Sequence, residues 1–122
     1  MTFPDIDAMV LKFLGAHVDV PVRVSVPADR PASFIVARRN GGAALNRVID
    51  QPTVTVDAWA ASSAEAAALA GVAREAFFHS YTDMPLVSGV EELTGPYSTP
   101  DPESGSARFR FSIQMTVRAA RT

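Results

Sequence analysis

With 122 residues, no cysteine, nine prolines and 48% hydrophobic side chains, the chain has the size and composition of one globular domain spanning residues 1–122. A fold of this length removes roughly two-thirds of its unfolded surface from water, so the core needs neither a disulfide nor a metal. The absence of cysteine excludes thiolate catalysis and Cys-ligated zinc. A formal charge of −2 argues against a dedicated nucleic-acid binder. No apolar run reaches the ~18 residues of a membrane span, and the first residues lack the basic-then-apolar order of a signal peptide. A soluble protein made in a cytoplasm is therefore expected.

The first element is a short amphipathic helix. Pro4 and Asp5 suit a first turn, Ile6, Met9, Val10, Phe13 and Leu14 recur at helical spacing, and Gly15 marks the end. Alternating valines between Pro21 and Pro27 predict a brief strand, placed at a sheet edge by its bounding prolines. Phe34–Arg39 predicts a second strand, and Asn40-Gly41-Gly42 supplies residues that tolerate positive φ where the chain reverses. Arg47–Asp50 and Thr53–Ala60 read as extended chain with a break at Asp50–Pro52, because proline cannot donate to a ladder. Val54, Val56 and Ala58 share one face of that strand; Thr53, Thr55, Asp57 and Trp59 share the other.

Ser62-Ser63-Ala64-Glu65 fits a capping box with Ser62 at the N-cap. The alanine-rich helix it opens runs to about His79 and presents Ala66, Leu69, Ala70, Ala73 and Phe77 to a sheet. Leu86–Leu93 predicts a weaker strand with a bulge at Gly89, and Thr94–Ser106, with Gly95, Pro96, Pro100, Pro102 and Gly105, predicts a long loop. A loop of that length in a small domain is commonly functional. In the last strand Phe109, Phe111, Ile113, Met115 and Val117 alternate with Arg108, Arg110, Ser112, Gln114, Thr116 and Arg118, which makes it the anchor of the core. The sum is an α+β single domain: a largely antiparallel sheet of four to five strands with two helices packed on one face.

The chemistry is sparse. His17 and His79 stand outside any metal-ligating or acid/base cluster and read as solvated or capping residues. Ser62 and Ser63 precede a helix without a nucleophile elbow, Asn40-Gly41-Gly42 joins strands and so is a turn instead of a phosphate loop, and Glu91 and Glu92 point to opposite faces. No catalytic residue, cofactor or metal is expected. Arg108, Arg110 and Arg118 project from the polar face of the last strand, and Arg38 and Arg39 end another. Such an array is a solvated outer face, a subunit contact or a lumen facing nucleic acid. Trp59 on the same polar side requires cover from the second helix, a loop or another subunit.

The runs Val24–Pro31, Phe34–Gly42, Asp50–Val56 and Trp59-Ala60, followed by Ala66–Arg74, Gly95-Pro96, Pro100-Asp101-Pro102 and Arg108-Phe109, resemble tail terminator (tail completion) proteins of long-tailed bacteriophages, especially actinobacterial ones. The resemblance spans most of the chain, and its motifs are structural. It implies a non-enzymatic virion protein at the head-proximal end of the tail, assembled in the host cytoplasm, which caps the tail tube, ends tail polymerisation and joins tail to head. It also implies partners: further copies of itself in a hexameric ring, the tail tube protein and a head-tail connector protein, with DNA passing non-specifically through the lumen and no membrane. Arg38, Arg39, Trp59, Gly95, Pro96, Asp101, Glu103, Arg108 and Arg110 are the candidate subunit or tail-tube interface, with the loop mobile until assembly orders it. The alternatives are another head-tail connector, a neck or tail-tube protein, or, from a different class, a small-molecule-binding α+β domain.

Overall fold

The computed structural model describes residues 1–121. Helix α1 spans Ile6–His17, its first turn capped by Asp5, whose carboxylate accepts the Ala8 N–H at 3.1 Å. Gly15 does not stop it; the helix continues one half-turn to His17, and the Val18 N–H closes on the Leu14 carbonyl. Strands β1 (Val22–Arg23), β2 (Phe34–Arg39), β3 (Ile49–Asp50) and β4 (Thr53–Trp59) follow, then helix α2 (Ser63–Ser80), a 3₁₀ turn at Tyr81–Asp83, and strands β5 (Val87–Ser98) and β6 (Arg108–Arg118). Ser62 caps α2 as expected, its hydroxyl accepting the Glu65 N–H at 3.2 Å.

The strands form one sheet in the order β1-β2-β4-β6, with β5 on the far side of β6 and β3 pairing the end of β6 beyond the reach of β4. Thus β3 and β4 are one strand interrupted at Gln51-Pro52, where the Pro52 carbonyl still accepts the Met115 N–H at 3.0 Å. Every pairing is antiparallel except β1 with β2, so the sheet is mixed. Strand β1 is two residues long, and Val24 and Val26 leave the ladder and are exposed. The reversal after β2 is closed by Asn40 N–H to the Thr53 carbonyl and Thr53 N–H to the Gly41 carbonyl, but residues 43–48 are inserted between them as an excursion before β3.

Both helices lie on one face of the sheet. Ile6, Val10, Phe13 and Leu14 of α1 and Ala70, Ala73 and Phe77 of α2 pack on Ile35, Ala37, Val54, Val56, Ala58, Phe111, Ile113, Met115 and Val117. Alanines at the α2 contact let helix and sheet approach closely, and Phe77 then meets Phe13 at 5.3 Å and Phe111 at 6.3 Å between ring centres. Strand β6 is an interior strand that pairs with three others, β3 and β4 along one side and the edge strand β5 along the other.

Strand β5 overturns one expectation. Residues 94–98, read as the start of a loop, continue the strand, so that the connection to β6 is confined to residues 99–107. Gly95 and Pro96 are tolerated because β5 is an edge strand and its register shifts between Thr94 and Tyr97, which takes both residues out of regular pairing. The bulge expected at Gly89 is present as a shift between Val87 and Gly89. Leu86, just before β5, holds a left-handed φ of 70°, a strained position for a leucine; its carbonyl accepts the Arg118 N–H at 2.9 Å.

Candidate interaction face

The face of the sheet turned away from the helices carries the residues singled out by their polarity. Strand register arranges them in rows: Phe34, Trp59 and Arg108; then Val36, Asp57, Arg110 and Tyr97; then Arg38, Thr55, Ser112 and Thr94; then Thr53, Gln114 and Glu91. Successive rows are two residues apart along each strand, about 6.6 Å.

The first row is closed over by the 99–107 connection. Trp59 stacks on Phe34 with ring centres 4.6 Å apart and planes 11° from parallel, and the Arg108 guanidinium lies 5.4 Å from the indole centre. The indole N–H donates to Asp101 Oδ2 at 3.2 Å, Arg30 donates to the same oxygen at 3.0 Å, and Arg108 donates to the Thr99 carbonyl at 2.8 Å. Inside the loop, the Glu103 N–H donates to Asp101 Oδ1 at 2.9 Å, Gly105 N–H to the Asp101 carbonyl and Asp101 N–H to the Ser106 carbonyl. The hydrogen bond from Glu103, with those from Arg30 and Trp59, holds the Asp101 carboxyl well below the usual carboxylate range against the opposing effect of burial. A loop expected to be mobile is therefore tied down, and it supplies the cover that Trp59 requires. Asp101, 6% exposed, is occupied within its own chain and is withdrawn from pairing with a neighbour. Glu103 stays exposed at the loop tip.

The other arginines divide sharply. Arg110 forms a bidentate pair with Asp57, at 2.7 and 3.0 Å, and that hydrogen bonding raises the Arg110 pKa. Arg39 turns to the helix side of the sheet and grips Asp50 at 2.7 and 3.1 Å, while its remaining donors reach the Gly41 and Gly42 carbonyls. Arg39 thus locks the 40–42 turn to the break at Asp50. Arg38, its neighbour in sequence, is exposed on the open face and has no side-chain partner among the described residues. With Asn40, Thr55, Thr94, Tyr97, Arg110 and Ser112 it lines a polar concavity of about 250 Å³. Gly95 and Pro96 are half-buried in β5 and do not line it; a Cβ on Gly95 would meet the paired Glu92 and Arg74 side chains instead.

Elsewhere, α1 and residues 83–85 enclose an apolar groove of about 440 Å³ lined by Met9, Phe13, Ala16, Met84 and Pro85, with Lys12, His17 and Asp83 at its margin. His17 lies 3.4 Å from Asp83. His79, expected to be without an acidic neighbour, has one a helical turn away, Glu75 at 2.8 Å. No group of three or more His, Asp or Glu side chains that could hold a metal ion occurs among the described residues, and no helix among them is long and apolar enough to cross a membrane. Neither a protein-family model nor a curated protein matches the chain.

Proposed function

We propose that the chain is a structural protein of a long-tailed bacteriophage virion, which forms a ring on the end of the tail tube, stops its polymerisation and offers the surface that joins tail to head. The observation that carries this reading is a polar, partly exposed stretch of sheet face, from the Arg38 row to Glu91, with a hydrogen-bonded loop built over the other end of that face. Where a projecting element and a receptive face lie on different parts of one surface, copies associate head to tail, and such contacts close into rings when the rotation between copies allows. A pre-ordered loop also loses little freedom on association, which favours an assembly element over a flexible linker. In this reading the role is non-catalytic and needs no cofactor, the ring is a homo-hexamer, and its partners are the tail tube protein and a head-tail connector protein, with DNA passing non-specifically through the lumen.

Native mass spectrometry of the purified full chain, paired with electron microscopy of the chain mixed with tail tubes, tests it. Closed rings seated on one end of tubes are expected. A chain that remains monomeric at every concentration and leaves tube ends bare overturns the proposal.

A second reading rests on the apolar groove between α1 and Pro85, which has the size and lining of a small-molecule site. Saturable binding of an apolar fluorescent dye that disappears in Ala16→Trp would favour it.

A further inference from the structure

We propose that Arg38, with the row of hydroxyls it heads, is the socket for the Glu103 carboxylate of a neighbouring copy of this chain. The inference rests on the ring-forming role argued above and assigns the contact that would build it.

The socket follows from register. Arg38, Thr55, Ser112 and Thr94 stand directly opposite one another on four adjacent strands, so one guanidinium and three hydroxyls form a line across the open face. The Thr55 hydroxyl accepts from the Asn40 amide at 3.3 Å, while the Ser112 and Thr94 hydroxyls and the Arg38 guanidinium have no hydrogen-bonding partner among the described residues. A guanidinium without an acceptor suits an oxyanion, its planar fork takes a carboxylate bidentately, and the hydroxyl row extends from it across the face.

Local charge selects a single acidic side chain over a polyanion. Arg110, the other cation lining the concavity, is neutralised by Asp57, and Glu91 is exposed on the same face, opposite Gln114 in the next row. Binding of a phosphate backbone relies on several cations tracking successive charges, and of the two cations lining this concavity only Arg38 is without a carboxylate. A volume of about 250 Å³ admits one side chain.

Glu103 is the complementary group because of where its loop is fixed. The 99–107 segment is bonded to Trp59, which lies on the same open face, and the Glu103 N–H is held by Asp101. The Glu103 side chain is exposed and has no partner among the described residues. It does not pair with Arg38 of its own chain: Phe34 and Arg38 are four residues apart along β2, about 13 Å, and Trp59 with its stacked Phe34 stands between loop and socket. The pair is therefore available only between copies. It is a contact of one end of a molecule with the middle of the next, which is the heterologous geometry a ring uses.

The test is a charge swap in the full chain. Arg38→Glu and Glu103→Arg, each checked for native fold by circular dichroism, should weaken self-association about tenfold or more in sedimentation equilibrium. The double variant, which restores opposite charges, should recover association to within about threefold of the unmodified chain. Asp29→Arg makes the same charge change at another exposed carboxylate and should associate as the unmodified chain does. Should either charge reversal fail to fold, Arg38→Gln and Glu103→Gln report the same loss with smaller amplitude. Single variants that form rings as well as the unmodified chain, or a double variant no better than the singles, overturn this contact while leaving the ring-forming role standing. An unmodified chain that never self-associates overturns both.

Discussion

The indole N–H of Trp59 donates to the carboxylate of Asp101, 42 residues further along the chain, and through that bond a loop becomes part of the fold. Asp101 has a depressed pKa in the folded state, caused first by the Glu103 N–H and then by Arg30 and Trp59. A carboxyl of this kind contributes stability that is fully present above its unfolded value, about 3.8, and is lost as pH falls from there through the lower folded value. Trp59 fluorescence should consequently stay constant on acidification through pH 5 and shift to the red only below about pH 3.8. Asp101→Asn should remove that late transition. Shortening the loop between Ser98 and Gly105 should lower the melting temperature; an unchanged value would mean that the loop is independent of the fold.

Arg39 belongs to the fold and Arg38 to the surface, and their variants should differ accordingly. Arg39→Ala strands the Asp50 carboxylate, 2% exposed, without its bidentate partner and should cost about 3 kcal/mol or more in a denaturant titration. Arg39→Lys should recover only part of this, because an ammonium cannot reproduce the fork. Arg38→Ala should change stability by under about 0.5 kcal/mol.

Phe111 is fully buried at the middle of β6, where it meets Phe77 edge-on. Phe111→Ala should cost about 3–5 kcal/mol. A loss below about 1 kcal/mol would move the centre of the core elsewhere.

Gly41 and Gly42 both hold positive φ, at 89° and 83°. A Cβ on Gly41 meets open space, so Gly41→Ala should cost only the backbone penalty, about 1–2 kcal/mol. A Cβ on Gly42 would collide with the Gln51 carbonyl and the Thr53 nitrogen. Gly42→Ala should therefore be the more damaging of the two by thermal melting, and equal effects would exclude the close approach.

Local chemistry made some of this architecture legible in advance. The Ser62 cap, the alternation of Phe109 to Val117 and the break at Pro52 are decided by neighbours within a few residues, and all three are present. Strand β5 beyond Leu93 was opaque because Gly95 and Pro96 are poor strand residues by propensity, and only pairing with β6 keeps them extended. The parallel placement of β1 is likewise non-local. For the interface residues the limit is sharper: Arg38 and Arg39 are adjacent and chemically identical, and what separates them is Asp50, delivered to one face by a strand break. The row from Arg38 to Thr94 exists only once four strands are in register.

Strand β6 has a temporal consequence. It pairs with three strands, yet β3, β4 and β5 are all translated before it. Until residues 108–118 emerge from the ribosome, β5 lacks its ladder, β4 has only β2, and α2 lacks the wall formed by Phe111, Ile113 and Met115. The nascent chain must hold apolar surface open and then close the sheet around a late arrival, and non-local pairing of this kind is what slows folding and favours aggregation in β-containing domains.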